Sequence, residues 1–146
     1  MHYELYRCSL VKETGFYKDY GYAKGTHEIC KLLKDLGVTN APDEYFYMFC
    51  LDNKLKIIGI HEVSHGELAS APVHPREAFK RALINNAAAV IFAHNHPSGI
   101  STPSNDDINI TKRLEECGEI LGIKVIDHII VGDNEYYSFN EHDLVG

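Results

Sequence analysis

Residues 87–107 read AAAVIFAHNHPSGISTPSNDD, an apolar run, two histidines, a stiff polar loop and an acidic helix start. The small apolar residues 87–93 predict a buried strand that delivers His94 at its C-terminal end, where side chains face a crevice. Residues i and i+2 of a strand share a side about 6.5–7 Å apart, so His94 and His96 can converge on one ion while Asn95 points away. Ser104 with Asp107 three residues on is the capping-box pattern that opens a helix. In that first turn the helix dipole favours a carboxylate, and one Asp107 oxygen can accept from the Ser104 backbone N–H while the other binds metal. Two imidazoles and a carboxylate leave a tetrahedral zinc ion one open position, the pattern of catalytic and not of structural zinc.

Working outward, the pattern predicts a mixed α/β chain. Residues 3–11 suit a strand, and 12–25, rich in Gly, Tyr and Lys, an exposed arm or hairpin. Tyr17, Tyr20 and Tyr22 are expected to pack on their own domain. Thr26 can cap a helix whose Ile29, Leu32, Leu33 and Leu36 fall at i, i+3, i+4 and i+7 before Gly37. Strands are expected over 44–51 and 55–63 around the turn Asp52-Asn53-Lys54, with a further short one over 67–71. Pro75 suits the first turn of a helix running to Asn85, with Phe79, Ala82 and Leu83 on its apolar face. His74 sets that helix start, and Arg76 and Glu77 read as a structural pair. A helix over 104–121 ends at Gly122, and strands over 124–131 and 135–139 flank Gly132-Asp133-Asn134. His128 reads as a hydrogen-bonded sheet histidine.

The chain has 146 residues, 45% of them apolar, and a formal net charge of −7. That length and composition suit one globular domain. The negative balance lacks the electrostatic footprint of a nucleic-acid binder, so strong DNA binding is not expected. Cys8, Cys30, Cys50 and Cys117 form no C-x-x-C pair and read as buried thiols in a reducing compartment. No signal peptide or apolar run of about 20 residues is visible, so the expectation is a soluble cytoplasmic protein without a membrane segment.

Two strings imitate other sites. His61-Glu62-Val63-Ser64-His65 spells HExxH, which binds zinc on a helix because i and i+4 are then neighbours. The β-branched, Gly59-containing surroundings predict a strand, which would hold the two histidines about 13 Å apart. His94-Asn95-His96 spells the name of the HNH nucleases, whose residues are spread over a longer hairpin-and-helix unit.

His94, His96, Pro97, Gly99, Pro103, Ser104 and Asp107 match His-x-His-Pro-x-Gly-x-x-x-Pro-Ser-x-x-Asp, which resembles the JAMM (MPN+) metalloprotease signature. With the HPRE segment at 74–77 and DHIIVG at 127–132, the chain from about Pro42 to Phe139 is similar to the JAB-type domain of the bacterial RadC family. The resemblance implies an α/β (α+β), cytidine-deaminase-like JAB/MPN fold, a mixed β-sheet flanked by helices. It divides the chain into an N-terminal extension with one helix, 1–41, and a RadC-like JAB/MPN domain, 42–146. RadC proteins usually carry a longer N-terminal region resembling a helix-hairpin-helix module, which is expected to be missing here.

The resemblance also implies an upstream glutamate beside the metal. Glu44, opening the apolar segment 44–51, fits, with Glu62 as runner-up; an acid opening a buried aromatic strand needs a partner. The implied activity is zinc-dependent hydrolysis of an amide or isopeptide bond in a peptide or protein substrate. His94, His96 and Asp107 would hold Zn2+ and Glu44 would act as general base. Ser104 could cap the helix and still donate its hydroxyl to the oxyanion, against the plain reading of capping alone. Gly99 lets the loop turn back, and Pro97 and Pro103 stiffen it. Two other readings use the same residues: a DNA-associated accessory or repair-linked binding module with a structural metal site, and hydrolysis of a non-peptide bond.

Overall fold

The computed structural model describes residues 1–13, 23, 25–66 and 73–146. In chain order the elements are α1 (Thr26–Asp35), β1 (Glu44–Leu51), β2 (Ile57–Gly66), α2 (Pro75–Ile84), β3 (Ala89–Asn95), α3 (Asn105–Leu121), β4 (Lys124–Val131) and β5 (Tyr136–Ser138). They form one mixed sheet of order β2-β1-β3-β4-β5 flanked by helices. The central strand β3, buried at all seven positions, runs antiparallel to β1 and parallel to β4. A parallel pair needs a long crossover, which α3 supplies.

Side-chain alternation divides the core between two faces of the sheet. On one, Phe46, Met48, Cys50, Val90 and Phe92 pack with Ala78, Phe79 and Ala82 of α2 and Leu114 of α3. On the other, Ile29, Leu32 and Leu33 of α1 pack with Phe49, Leu51, Ile91, Ile129 and Val131. Continuing the period of two, Glu44 lies on the Phe46–Met48 face of β1, and His94 on the Val90–Phe92 face of β3. The register pairs Phe46 with His94, so two residues further on Glu44 stands across from the segment that carries His96.

Several local expectations are corrected. Residues 3–11 form no strand; Tyr3, Leu5 and Tyr6 are exposed, because no described strand pairs with them. The arm over 12–25 and the strand over 67–71 lie largely or wholly outside the described residues. Thr26 is the first helical residue of α1 and not its cap, which is Gly25; its hydroxyl instead donates to Glu141. Leu83 is 51% exposed, because α2 turns Ala78, Phe79 and Ala82 to the sheet. Glu77 pairs with Lys80 and Arg81, one helical turn away, and not with Arg76. Of the cysteines only Cys50 is buried; Cys8 is exposed with the N-terminal segment, and Cys30 and Cys117 are intermediate. Among the described residues, no helix is long and apolar enough to cross a membrane.

Candidate metal centre

Glu44 opens β1, His94 is the penultimate residue of β3, His96 follows that strand, and Asp107 lies in the first turn of α3. One ligand atom from each lies within 4.8 Å of all the others. His94 Nε2 is 3.1 Å from His96 Nε2, 3.3 Å from Asp107 Oδ1 and 3.6 Å from Glu44 Oε1, and His96 Nε2 is 3.0 Å from Asp107 Oδ2. The capping box is present: Ser104 Oγ accepts from the Asp107 N–H, and Asp107 Oδ2 accepts from the Ser104 N–H. The reciprocal bonds hold the carboxylate at the helix end, aimed at the histidines.

The loop between His94 and α3 is clasped by the β4–β5 turn. His96 N–H donates to the Val131 carbonyl, and Asp133 N–H donates to the Gly99 carbonyl at 2.6 Å. A Cβ at Gly132 would stand 2.4 Å from the Gly99 oxygen and 3.0 Å from the Ser101 nitrogen. Gly99 itself has φ +86, in the left-handed region that favours glycine. The Asp127 carboxylate, also on β4, accepts from the amides of His128 and Asn140 and from the Ser138 hydroxyl, tying β4 to the chain after β5.

Asn95, between the two histidines, is fully buried. Its Oδ1 accepts from the Tyr45 N–H at 2.7 Å, and its Nδ2 donates to the Asp43 carbonyl at 2.9 Å. One carboxamide thus grips the backbone on both sides of Glu44 and sets where that carboxylate begins. On the opposite side of His94, its Nδ1 lies 2.7 Å from His128 Nε2, and His128 Nδ1 meets Thr111 Oγ1.

The donor set fits a divalent metal such as zinc. Ligand bonds of about 2.0–2.1 Å in a tetrahedron place neighbouring ligand atoms about 3.3 Å apart. The separations among the His94, His96 and Asp107 atoms, 3.0–3.3 Å, fall around that value. His96 Nδ1 contacts the Ile100 carbonyl at 2.8 Å, and a carbonyl only accepts, so the ring's proton is held there and a neutral His96 turns a bare Nε2 inward. Two imidazole nitrogens and two carboxylates crowded together then call for a cation. Burial disfavours charge on His96, but the Asp107 and Ile100 contacts outweigh it and raise its pKa. Burial likewise opposes the Asp107 charge, yet the His94 and His96 imidazoles beside it hold its carboxyl well below the usual carboxylate range.

Four residues singled out from the sequence, Glu44, His94, His96 and Asp107, are therefore brought together. Ser104 is beside them through Asp107, exposed, with its oxygen accepting the capping hydrogen bond. The HExxH histidines lie on β2, where His61 contacts Asn85 and His65 contacts Asp43 and stacks on Tyr45. Glu62, the alternative base, stands across from Tyr47 on β2 and contacts its hydroxyl. Asn95 and Thr111 escaped sequence reasoning. The available signal for Asn95 was a polar side chain closing an otherwise apolar strand, which must find partners if buried.

A family model described as "RadC-like JAB domain" matches residues 24–144, a span that takes in α1. The chain is 46% identical over 140 residues to a UPF0758 protein of Alkaliphilus oremlandii, covering 95% of this chain and 58% of that one. It is 50% identical over 142 residues to a UPF0758 protein of Clostridium perfringens, covering 97% and 60%. A UPF0758 protein of Pelobacter propionicus is 55% identical over 102 residues, covering 70% and 44%. The chain thus spans about half the length of these curated relatives.

Proposed function

The chain belongs to the RadC-like JAB domain family, and on that premise we propose that it is a zinc-dependent metallopeptidase or isopeptidase of the JAMM type. One observation carries the reading: two inward-facing imidazoles and two carboxylates from three separate segments meet within 4.8 Å. His94, His96 and Asp107 hold the metal, and bound there zinc supplies Lewis-acid activation of water near neutral pH. Glu44 Oε1 takes the proton of the attacking water and returns it to the leaving amine nitrogen, so the amide is cleaved with no net proton change. Asn95 holds the backbone from which Glu44 reaches in. The Ser104 hydroxyl, whose oxygen accepts from the Asp107 N–H, keeps its hydrogen to donate to the oxyanion that develops on the scissile carbonyl. The peptide or isopeptide-linked protein substrate, and action in the cytoplasm, belong to the same proposal.

The test combines elemental analysis with a library of peptides and isopeptides. Wild type should carry one zinc per chain, and His96→Ala and Asp107→Ala should lose it. Glu44→Gln should keep zinc and lose turnover, because an amide cannot shuttle the proton. Stoichiometric zinc in both ligand variants, or full turnover by Glu44→Gln, would overturn the assignment.

A further inference from the structure

The hydrogen between His94 Nδ1 and His128 Nε2, 2.7 Å apart, belongs to one ring or the other, and the choice decides what His94 presents to the centre. Thr111 makes that choice. Its Oγ1 lies 2.6 Å from the main-chain oxygen of Asp107 and 2.5 Å from His128 Nδ1. The carbonyl carries no hydrogen, so the single Thr111 hydroxyl hydrogen goes to it. Only lone pairs then remain for His128, whose Nδ1 must be the N–H. His128 is fully buried among the rings of Phe46, Phe92 and Phe139, with Phe139 stacked on it at 4.8 Å, surroundings that disfavour a charged imidazole. A neutral His128 protonated on Nδ1 has a bare Nε2, so the shared hydrogen sits on His94 Nδ1.

We propose that Thr111 and His128 are positioning residues: they lock the proton of His94 on Nδ1 and so hold His94 Nε2 as an open lone pair for the metal. The Ile100 carbonyl does the same for His96 by a shorter route. The relay begins at the main chain of Asp107, so the first turn of α3 supplies a carboxylate to the centre and also sets the tautomer of the histidine opposite it. A ligating histidine whose second nitrogen is engaged keeps both ring orientation and basicity. The importance of the register to metal binding rests on the metal reading above, but its existence can be read without metal.

In metal-free protein labelled with 15N-histidine, at a pH above the raised pKa of His96, long-range nitrogen–proton correlation should show His94, His96 and His128 all as Nδ1–H tautomers. Thr111→Val keeps the side-chain shape and removes the oxygen. His128 should then move its hydrogen to Nε2 and drive His94 toward Nε2–H, and zinc affinity in chelator competition should fall about 10- to 100-fold. Thr111→Ser should restore both. An Nε2–H His94 in wild type, which needs no variant to observe, would overturn the proposal. So would a folded Thr111→Val that binds zinc within a factor of two of wild type. If wild type takes up no zinc while all three rings show Nδ1–H, the register stands and the metallopeptidase reading fails.

Discussion

Replacing Asn95 by alanine should destabilise the protein without removing a metal ligand. The substitution strips two hydrogen bonds, from the Tyr45 N–H at 2.7 Å and to the Asp43 carbonyl at 2.9 Å, and leaves both backbone groups without that partner. A buried group left unsatisfied costs about 1–3 kcal/mol. Tyr45 and Asp43 are only partly buried, so water recovers part of the loss, and about 2–4 kcal/mol is expected for the pair. Urea unfolding with a slope near 2 kcal/mol/M would convert that to a midpoint about 1–2 M lower. Zinc content should persist, because His94, His96 and Asp107 remain, while turnover drops with the loosened backbone at Glu44. Asn95→Asp is the sharper companion: it keeps the acceptor for Tyr45 but sets an oxygen against the Asp43 carbonyl, so it should also destabilise. A midpoint change equivalent to less than about 0.5 kcal/mol in both variants would refute the clamp.

Three further outcomes follow from the geometry. Gly132→Ala puts a Cβ 2.4 Å from the Gly99 oxygen, a backbone atom, and should cost about 1–3 kcal/mol, read as a melting temperature lower by about 3–10 °C; an unchanged melting temperature would mean that the loop yields freely. His61→Ala and His65→Ala should leave zinc stoichiometry intact, since neither side chain belongs to the cluster, and loss of zinc in both would revive the HExxH reading. Zinc affinity should fall with acidification beginning above pH 6.5, because the folded pKa of His96 is raised above that value and the ion must displace its proton; in the metal-free protein the sign is opposite for His96, whose stabilising contribution is complete below pH 6.5 and lost as pH rises through its raised pKa. Calorimetric titration across pH reads the first, and a pH-independent affinity would count against His96 as a ligand.

What could be read from the sequence was local or periodic. The capping box at Ser104 and Asp107 needs only three residues of spacing, and the apolar run before His94 needs only strand burial; both features are present. The HExxH string was separable from a true site because β-branched neighbours favour a strand, and β2 runs through it. What the sequence hid depended on partners far along the chain. Asn95 was correctly placed off the histidine side, but its two partners lie at 43 and 45, and only the β1–β3 register brings them together. Thr111 is an ordinary buried helix residue until α3 docks against β4 and sets its hydroxyl beside His128. Leu83 failed for a related reason: helical periodicity marks an apolar stripe, while the packing of α2 decides its edge, leaving Leu83 in solvent.

The reciprocal bonds between Ser104 and Asp107 give the centre a dynamic character as well as a shape. Helix ends open and close locally at a free-energy cost far below that of global unfolding. Here the carboxylate that closes the end of α3 also faces the two imidazoles, so fraying of that first turn and withdrawal of one ligand are a single event. Any ion held by Asp107 and the histidines is thereby coupled to the helix end through mass action, suppressing its opening in proportion to occupancy. The exchange rate of the Asp107 and Ile108 amides, which bond to Ser104, becomes a gauge of how often the centre is intact.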